Sequence, residues 1–168
     1  MSAARIGVFI CKCGGEISNT IDLGSLKEHV KKIPNVVYVE EHDFLCFNEG
    51  QEALKKAIRE HRLNRIVIAA CSPRLHEIAF RRILSEEGVN PCMLEIVSIR
   101  EQCAWPYSDN PSKATEKAKN MVKAAILRVK TLEEIGEVTV PAKLSVLVVG
   151  GGIAGCLLYT SPSPRDRG

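Results

Sequence analysis

Near-continuous apolar runs alternate with stretches whose apolar residues recur at helical spacing, and this alternation constrains the fold most. Arg5-Ile6-Gly7-Val8-Phe9-Ile10-Cys11, Val36-Val37-Tyr38-Val39, Arg65-Ile66-Val67-Ile68-Ala69-Ala70 and Met93 to Ile99 read as strands. The runs around Val8 and Val67 are apolar at successive positions, the pattern of strands covered on both faces. Between them Leu23, Leu26, Val30 and Ile33 make one helical face, ended by Pro34-Asn35, and Leu54, Ala57, Ile58 and His61 make another. Asn48 with Gln51 three residues on has the spacing of a capping box for that second helix. Ser72-Pro73 opens a helix running to about Gly88. Asn110-Pro111 opens the longest one, with Ala114, Ala118, Met121, Val122, Ala125, Ile126, Val129 and Leu132 in one stripe. Short βα connections predict an α/β fold: an open parallel sheet of about four strands with helices on both faces, of the Rossmann or flavodoxin-like kind.

Residues 1–133 form this unit and residues 134–143, Glu-Ile-Gly-Glu-Val-Thr-Val-Pro-Ala-Lys, read as a linker. Residues 144–155 begin a second unit. Leu144-Ser145-Val146-Leu147-Val148-Val149 is the expected strand, running into Gly150, Gly152 and Gly155 in the spacing of a dinucleotide-binding turn. The first glycine allows the tight turn, the second lets a pyrophosphate approach, and the third lets helix and strand pack. Pro162 and Pro164 argue against a following helix, and residues 156–168 read as a non-native tail fused to a truncated gene.

Charge excludes some functions. Lys and Arg number 23 against 20 Asp and Glu, a net charge of +3, with no basic block to suit nucleic acid. No apolar run reaches the roughly 20 residues a bilayer demands. The first fifteen residues make a poor signal peptide, so a cytoplasmic location is expected.

Seven cysteines then stand out, because a reducing compartment disfavours disulfides and leaves metal or redox chemistry. Cys11 closes the first strand, Cys13 and Cys46 follow the first two strands, Cys71 closes the third and Cys103 lies just past the fourth. All five fall at the carboxyl edge, where open α/β sheets bind ligands. Cys92 opens the fourth strand at the other edge, and Cys156 belongs to the second unit. Five thiols at one edge can supply the four thiolates of an iron–sulfur cubane or a structural zinc. The helix starts after Ser72 and near Asn48 favour thiolate at Cys71 and Cys46. Cys11, held in the strand, is the one expected to be spare. Packing is the plainer role for Trp105 and for His29, His42 and His61. Arg74 and His76 lie near enough to the Cys71 helix start to meet a charged centre, but a solvated helix position is the plainer role for His76 and an equal alternative for Arg74.

Several stretches together resemble the A subunit of heterodisulfide reductase and its relatives in sulfur- and quinone-linked redox complexes. They are Gly7–Gly14, Ala70-Cys71-Ser72-Pro73-Arg74-Leu75-His76-Glu77, Ile99-Arg100-Glu101-Gln102-Cys103-Ala104-Trp105, Lys113–Lys119 and Val149–Gly155. The resemblance covers residues 5 to 155. It implies a [4Fe-4S] cluster in the first domain, followed by an FAD domain and ferredoxin-type inserts, of which this chain has only the FAD entrance. It implies an electron-transfer module of a longer flavoprotein, working with other heterodisulfide reductase-type subunits and an electron-donor hydrogenase or dehydrogenase. A homodimer of the parent is an arrangement it allows. A structural zinc or docking domain is the alternative, and the lack of C-x-x-C disfavours a thiol oxidoreductase built on Cys11 and Cys13.

Overall fold

In the computed structural model, residues 3–136, 138–143 and 145–161 are described. They fall into two compact units, Met1–Ile135 and Gly136–Gly168. The first holds four strands, β1 (Ile6–Cys11), β2 (Val36–His42), β3 (Arg65–Ala70) and β4 (Leu94–Ser98). All pair in parallel in the order β2-β1-β3-β4. The helices are α1 (Leu23–Lys31), α2 (Asn48–His61), α3 (Pro73–Glu86) and α4 (Pro111–Thr131).

Alternation along the central strands explains the two layers. Ile6, Val8 and Ile10 of β1, with Val67 and Ala69 of β3, face one apolar cluster that α1 and α4 cover. Phe9 and Cys11, with Ile66, Ile68 and Ala70, face the other, under α2 and α3. The side-chain period of two thus sends one strand into two cores. The α4 stripe does what its spacing predicts: Ala114, Ala118, Val122, Ala125, Ile126 and Val129 are all buried.

Helix starts follow the sequence in part. The Asp22 carboxylate accepts from the Ser25 N–H and opens α1, and Asn110 does the same with Lys113 for α4. Pro73 takes the first position of α3. The Asn48–Gln51 capping box does not form. Phe47 occupies the cap position, and Gln51 Nε2 donates to the Cys46 carbonyl at 2.8 Å. The aromatic rings explain the change, because Phe47 stacks on Phe44 with centroids 4.9 Å apart and holds the chain one residue early. Strand β2 also runs on to His42, past the apolar run, since an edge strand tolerates polar residues.

In the second unit, Ser145–Val149 forms no strand. A strand needs a hydrogen-bonded neighbour, and among the described residues this run has none. Leu144 and residues 162–168 lie outside the described residues, so the seven last positions of the expected tail are not addressed. A helix does form after the glycine turn, α5 (Ile153–Thr160), contrary to expectation. Proline disfavours helix at the residue before it, and α5 ends at Thr160, so the sequence leaves room for the helix.

Candidate functional site

The order β2-β1-β3-β4 places a switch point between β1 and β3, where the chain leaves β1 first toward one side of the sheet and then toward the other. Crevices of this kind lie outside the carboxyl ends of the strands. Cys11 ends β1 and Cys71 follows β3, so the two flank this crevice. The loops after β1 and β2 bring Cys13 and Cys46. All four line one cavity of about 220 Å³ with Phe44, Leu45, Phe47, Leu75, His76 and Arg100.

Local backbone conformation makes this possible. Cys13, Gly14 and Gly15 take φ of 49°, 62° and 105°, a left-handed reversal that folds the chain back under β1. A Cβ on Gly14 would lie 2.7 Å from the Phe44 ring, so the loop after β2 closes on this turn. On the other side Gly50, in the first turn of α2, passes against the Phe44–Leu45 backbone and lets the helix carry that loop inward.

The thiols are electrostatically unequal. Cys13 Sγ lies 3.4 Å from Cys11 Sγ, and the Cys13 N–H donates to Cys11 Sγ at 3.3 Å. Donation from the Cys13 thiol, helped by the backbone N–H groups of Leu45 and Cys13, pulls Cys11 down to about 6 against its burial. The same donor brings Cys71 down to about 7, with Arg100 assisting. Cys13, hydrogen-bonded to both and buried, is pushed up. Burial also pushes Cys46 up. The pattern is two thiolates sharing the proton of a third thiol.

Cys103 is placed differently from the other four. It is fully buried in the opposite core, beneath α4, with its Sγ 3.5 Å from Met121 Sδ. The cause is a π-helical turn, Arg100–Ala104, which follows β4 and rotates Cys103 to the α4 side while turning Arg100 toward the cavity. Cys11, the expected spare, is at the cavity instead. Cys92 precedes β4 at the opposite edge, as its position suggested. His76 lines the cavity, whereas Arg74 is exposed and does not. Trp105 is half exposed and stacks beside Arg100, at 4.9 Å from the guanidinium carbon. Sequence reading missed Arg100, Phe44 and Phe47; only the conjunction of Arg100 with a cysteine-bearing loop could have flagged one of them.

In the second unit Gly150 has φ of 107°, Gly152 caps α5, and a Cβ on Gly155 would fall on the Gly150 carbonyl oxygen. Gly150 and Gly155 thus make the tight turn that leads into α5.

Among the described residues, no three His, Cys, Asp or Glu side chains gather around a single ion position. The four thiols line one cavity, with the Cys11 and Cys13 sulfurs 3.4 Å apart. A single tetrahedral ion demands all its sulfurs about 2.3 Å from one point.

An open parallel sheet with helices on both faces and four cysteines around its switch point defines an α/β domain of the Rossmann-like class. Known proteins are similar to it in sequence. The chain is 46% identical over 151 residues, 90% of its length, to the first iron–sulfur A subunit of the CoB–CoM heterodisulfide reductase of Methanopyrus kandleri. It is 42% identical over its whole length to the A subunit of the H2:CoB–CoM heterodisulfide,ferredoxin reductase of Methanothermobacter thermautotrophicus. It is 42% identical over 151 residues to a protein of Archaeoglobus profundus that is itself named for its likeness to the heterodisulfide reductase A subunit. The chain belongs to the family of the heterodisulfide reductase A subunit, and it spans about a quarter of the length of these relatives. No family model matches it.

Proposed function

We propose that the first unit is a one-electron relay module in which Cys11, Cys13, Cys46 and Cys71 hold a [4Fe-4S] cluster. The observation that carries this reading is the gathering of four thiols around one cavity at the switch point of the sheet. Bound there, such a cluster would accept and donate single electrons. The chain's own residues provide the rest. Cys13 holds the proton that keeps Cys11 and Cys71 as thiolates before assembly, and cluster binding releases it. Phe44, Phe47, Leu75 and Phe80 give the cavity an apolar lining. Within a longer parent, the Gly150–Gly155 turn would open an FAD-binding domain, and electrons would pass between flavin, clusters and other heterodisulfide reductase-type subunits. The names of two relatives, one an iron–sulfur subunit and the other a subunit of an H2:CoB–CoM heterodisulfide,ferredoxin reductase, support other subunits as partners; a donor hydrogenase or dehydrogenase is part of the proposal. Cys103 stands outside this ligand set.

Anaerobic reconstitution followed by iron, sulfide, zinc and EPR analysis tests the reading. A brown chain with about four irons and four sulfides per molecule is expected. Stoichiometric zinc without sulfide would replace the relay by a structural zinc or docking domain.

A further inference from the structure

Arg100 is held in place through Glu101 and Trp105, which are tied to the Cys71 and Cys13 loops. Its Nε and Nη2 donate to Glu101 Oε1 at 3.3 and 3.0 Å. Glu101 in turn accepts from the Ser98 hydroxyl at 2.7 Å and from the backbone N–H of Ser72, the residue after Cys71. The guanidinium lies over the Trp105 ring, and the Trp105 indole N–H donates at 2.7 Å to Glu16, just past the Cys13–Gly15 turn. Beneath it the π-helical turn is anchored by Ile99, Cys103 and Ala104, all buried. A long, flexible side chain is thus fixed from three directions, with only 20% of it exposed. Among the residues lining the thiol cavity, it alone carries a permanent positive charge.

We propose that Arg100 is a positioning residue whose fixed charge sets the redox balance of the four-thiol centre, favouring its reduced state, while Glu101 and Trp105 aim that charge. The inference rests on the relay reading. Reduction adds one electron from an external one-electron donor to the centre; no bond forms or breaks, and the added negative charge remains there. A nearby cation in a partly buried site lowers the free energy of that more negative state. Glu101 limits the gain, so removing either partner should move the balance in opposite directions.

The test is an EPR-monitored dithionite titration of the reconstituted 168-residue chain and three variants. At fixed poise, Arg100→Gln should lower the reduced-to-oxidised ratio about tenfold, which is 59 mV for a one-electron couple. Arg100→Lys should restore most of the difference, and Glu101→Gln should raise the ratio. A merely structural role would move Arg100→Gln and Glu101→Gln the same way, and that result would overturn the proposal. So would an Arg100→Gln ratio equal to wild type at unchanged iron content. Should Arg100→Gln fail to fold, the opposition between Arg100→Lys, close to wild type, and Glu101→Gln, above it, still decides. A wild-type chain that takes up no iron and sulfide sinks the relay reading and this inference together. A cluster indifferent to these substitutions sinks the inference alone.

Discussion

Replacing Gly50 with alanine sets two physical effects against each other at the point where α2 carries Cys46 to the cavity. On propensity alone the change should help, because alanine in a helix is favoured over glycine by about 1 kcal/mol, less in a first turn. Packing opposes it. A Cβ at position 50 would fall on the Phe44 carbonyl oxygen, 2.6 Å from Leu45 Cα and 3.0 Å from the Leu45 carbonyl carbon. These are backbone atoms, so no side-chain rotation relieves the contact. The helix and the 44–47 loop must separate, at an overpacking cost of about 1–3 kcal/mol. The net expectation is a loss of about 1–2 kcal/mol, or a Tm lower by roughly 3–8 °C in a domain of this size. Because the same loop holds Cys46, reconstituted iron content should fall more than stability alone explains. Thermal unfolding by circular dichroism, paired with iron analysis well below Tm, measures both. A Gly50→Ala chain more stable than wild type, with full iron content, would refute the close approach of α2 to the cysteine loop.

Other expectations follow from single contacts. In the metal-free chain, Cys71 should react with iodoacetamide at a rate half-maximal near pH 7, and Cys13→Ala should move that midpoint up toward the ordinary thiol range. Because the folded value of Cys11 is lowered from 9.0 to about 6, its ionisation stabilises the metal-free fold fully above pH 9, and this is lost as pH falls through 6. Cys13→Ala should flatten the change across that window in urea titrations. Thr115→Val should cost about 1–3 kcal/mol in urea unfolding, because the buried Thr115 hydroxyl accepts from the Asp22 N–H at 3.0 Å and donates to the Pro111 carbonyl at 2.8 Å. An unchanged midpoint would show that water replaces the lost partner.

The sheet and its helices were legible because each strand is a run of apolar residues and each helix a periodic stripe. Those signals come from burial, which repeats along the chain. The cysteine edge was legible for the same reason, once strand ends were known. What did not show was any feature set by a neighbour distant in sequence. Asn48 lost its capping role to Phe47 because Phe47 stacks on Phe44. Ser145–Val149 has strand composition but no partner among the described residues. Cys103 and Arg100 lie three residues apart, and a π-helical turn sends them to opposite sides of the sheet. Counting positions past β4 put Cys103 at the cavity, whereas that turn places Arg100 there and buries Cys103 against Met121.

That exchange of places gives the most direct test of the ligand set. Iron and sulfide content after anaerobic reconstitution should be compared between Cys11→Ala and Cys103→Ala, with Cys92→Ala as a bystander control. Cys11→Ala should lose most of its iron, while Cys103→Ala and Cys92→Ala keep about four irons per chain. Loss of the cluster in Cys103→Ala, with Cys11→Ala unaffected, would contradict the four-thiol centre.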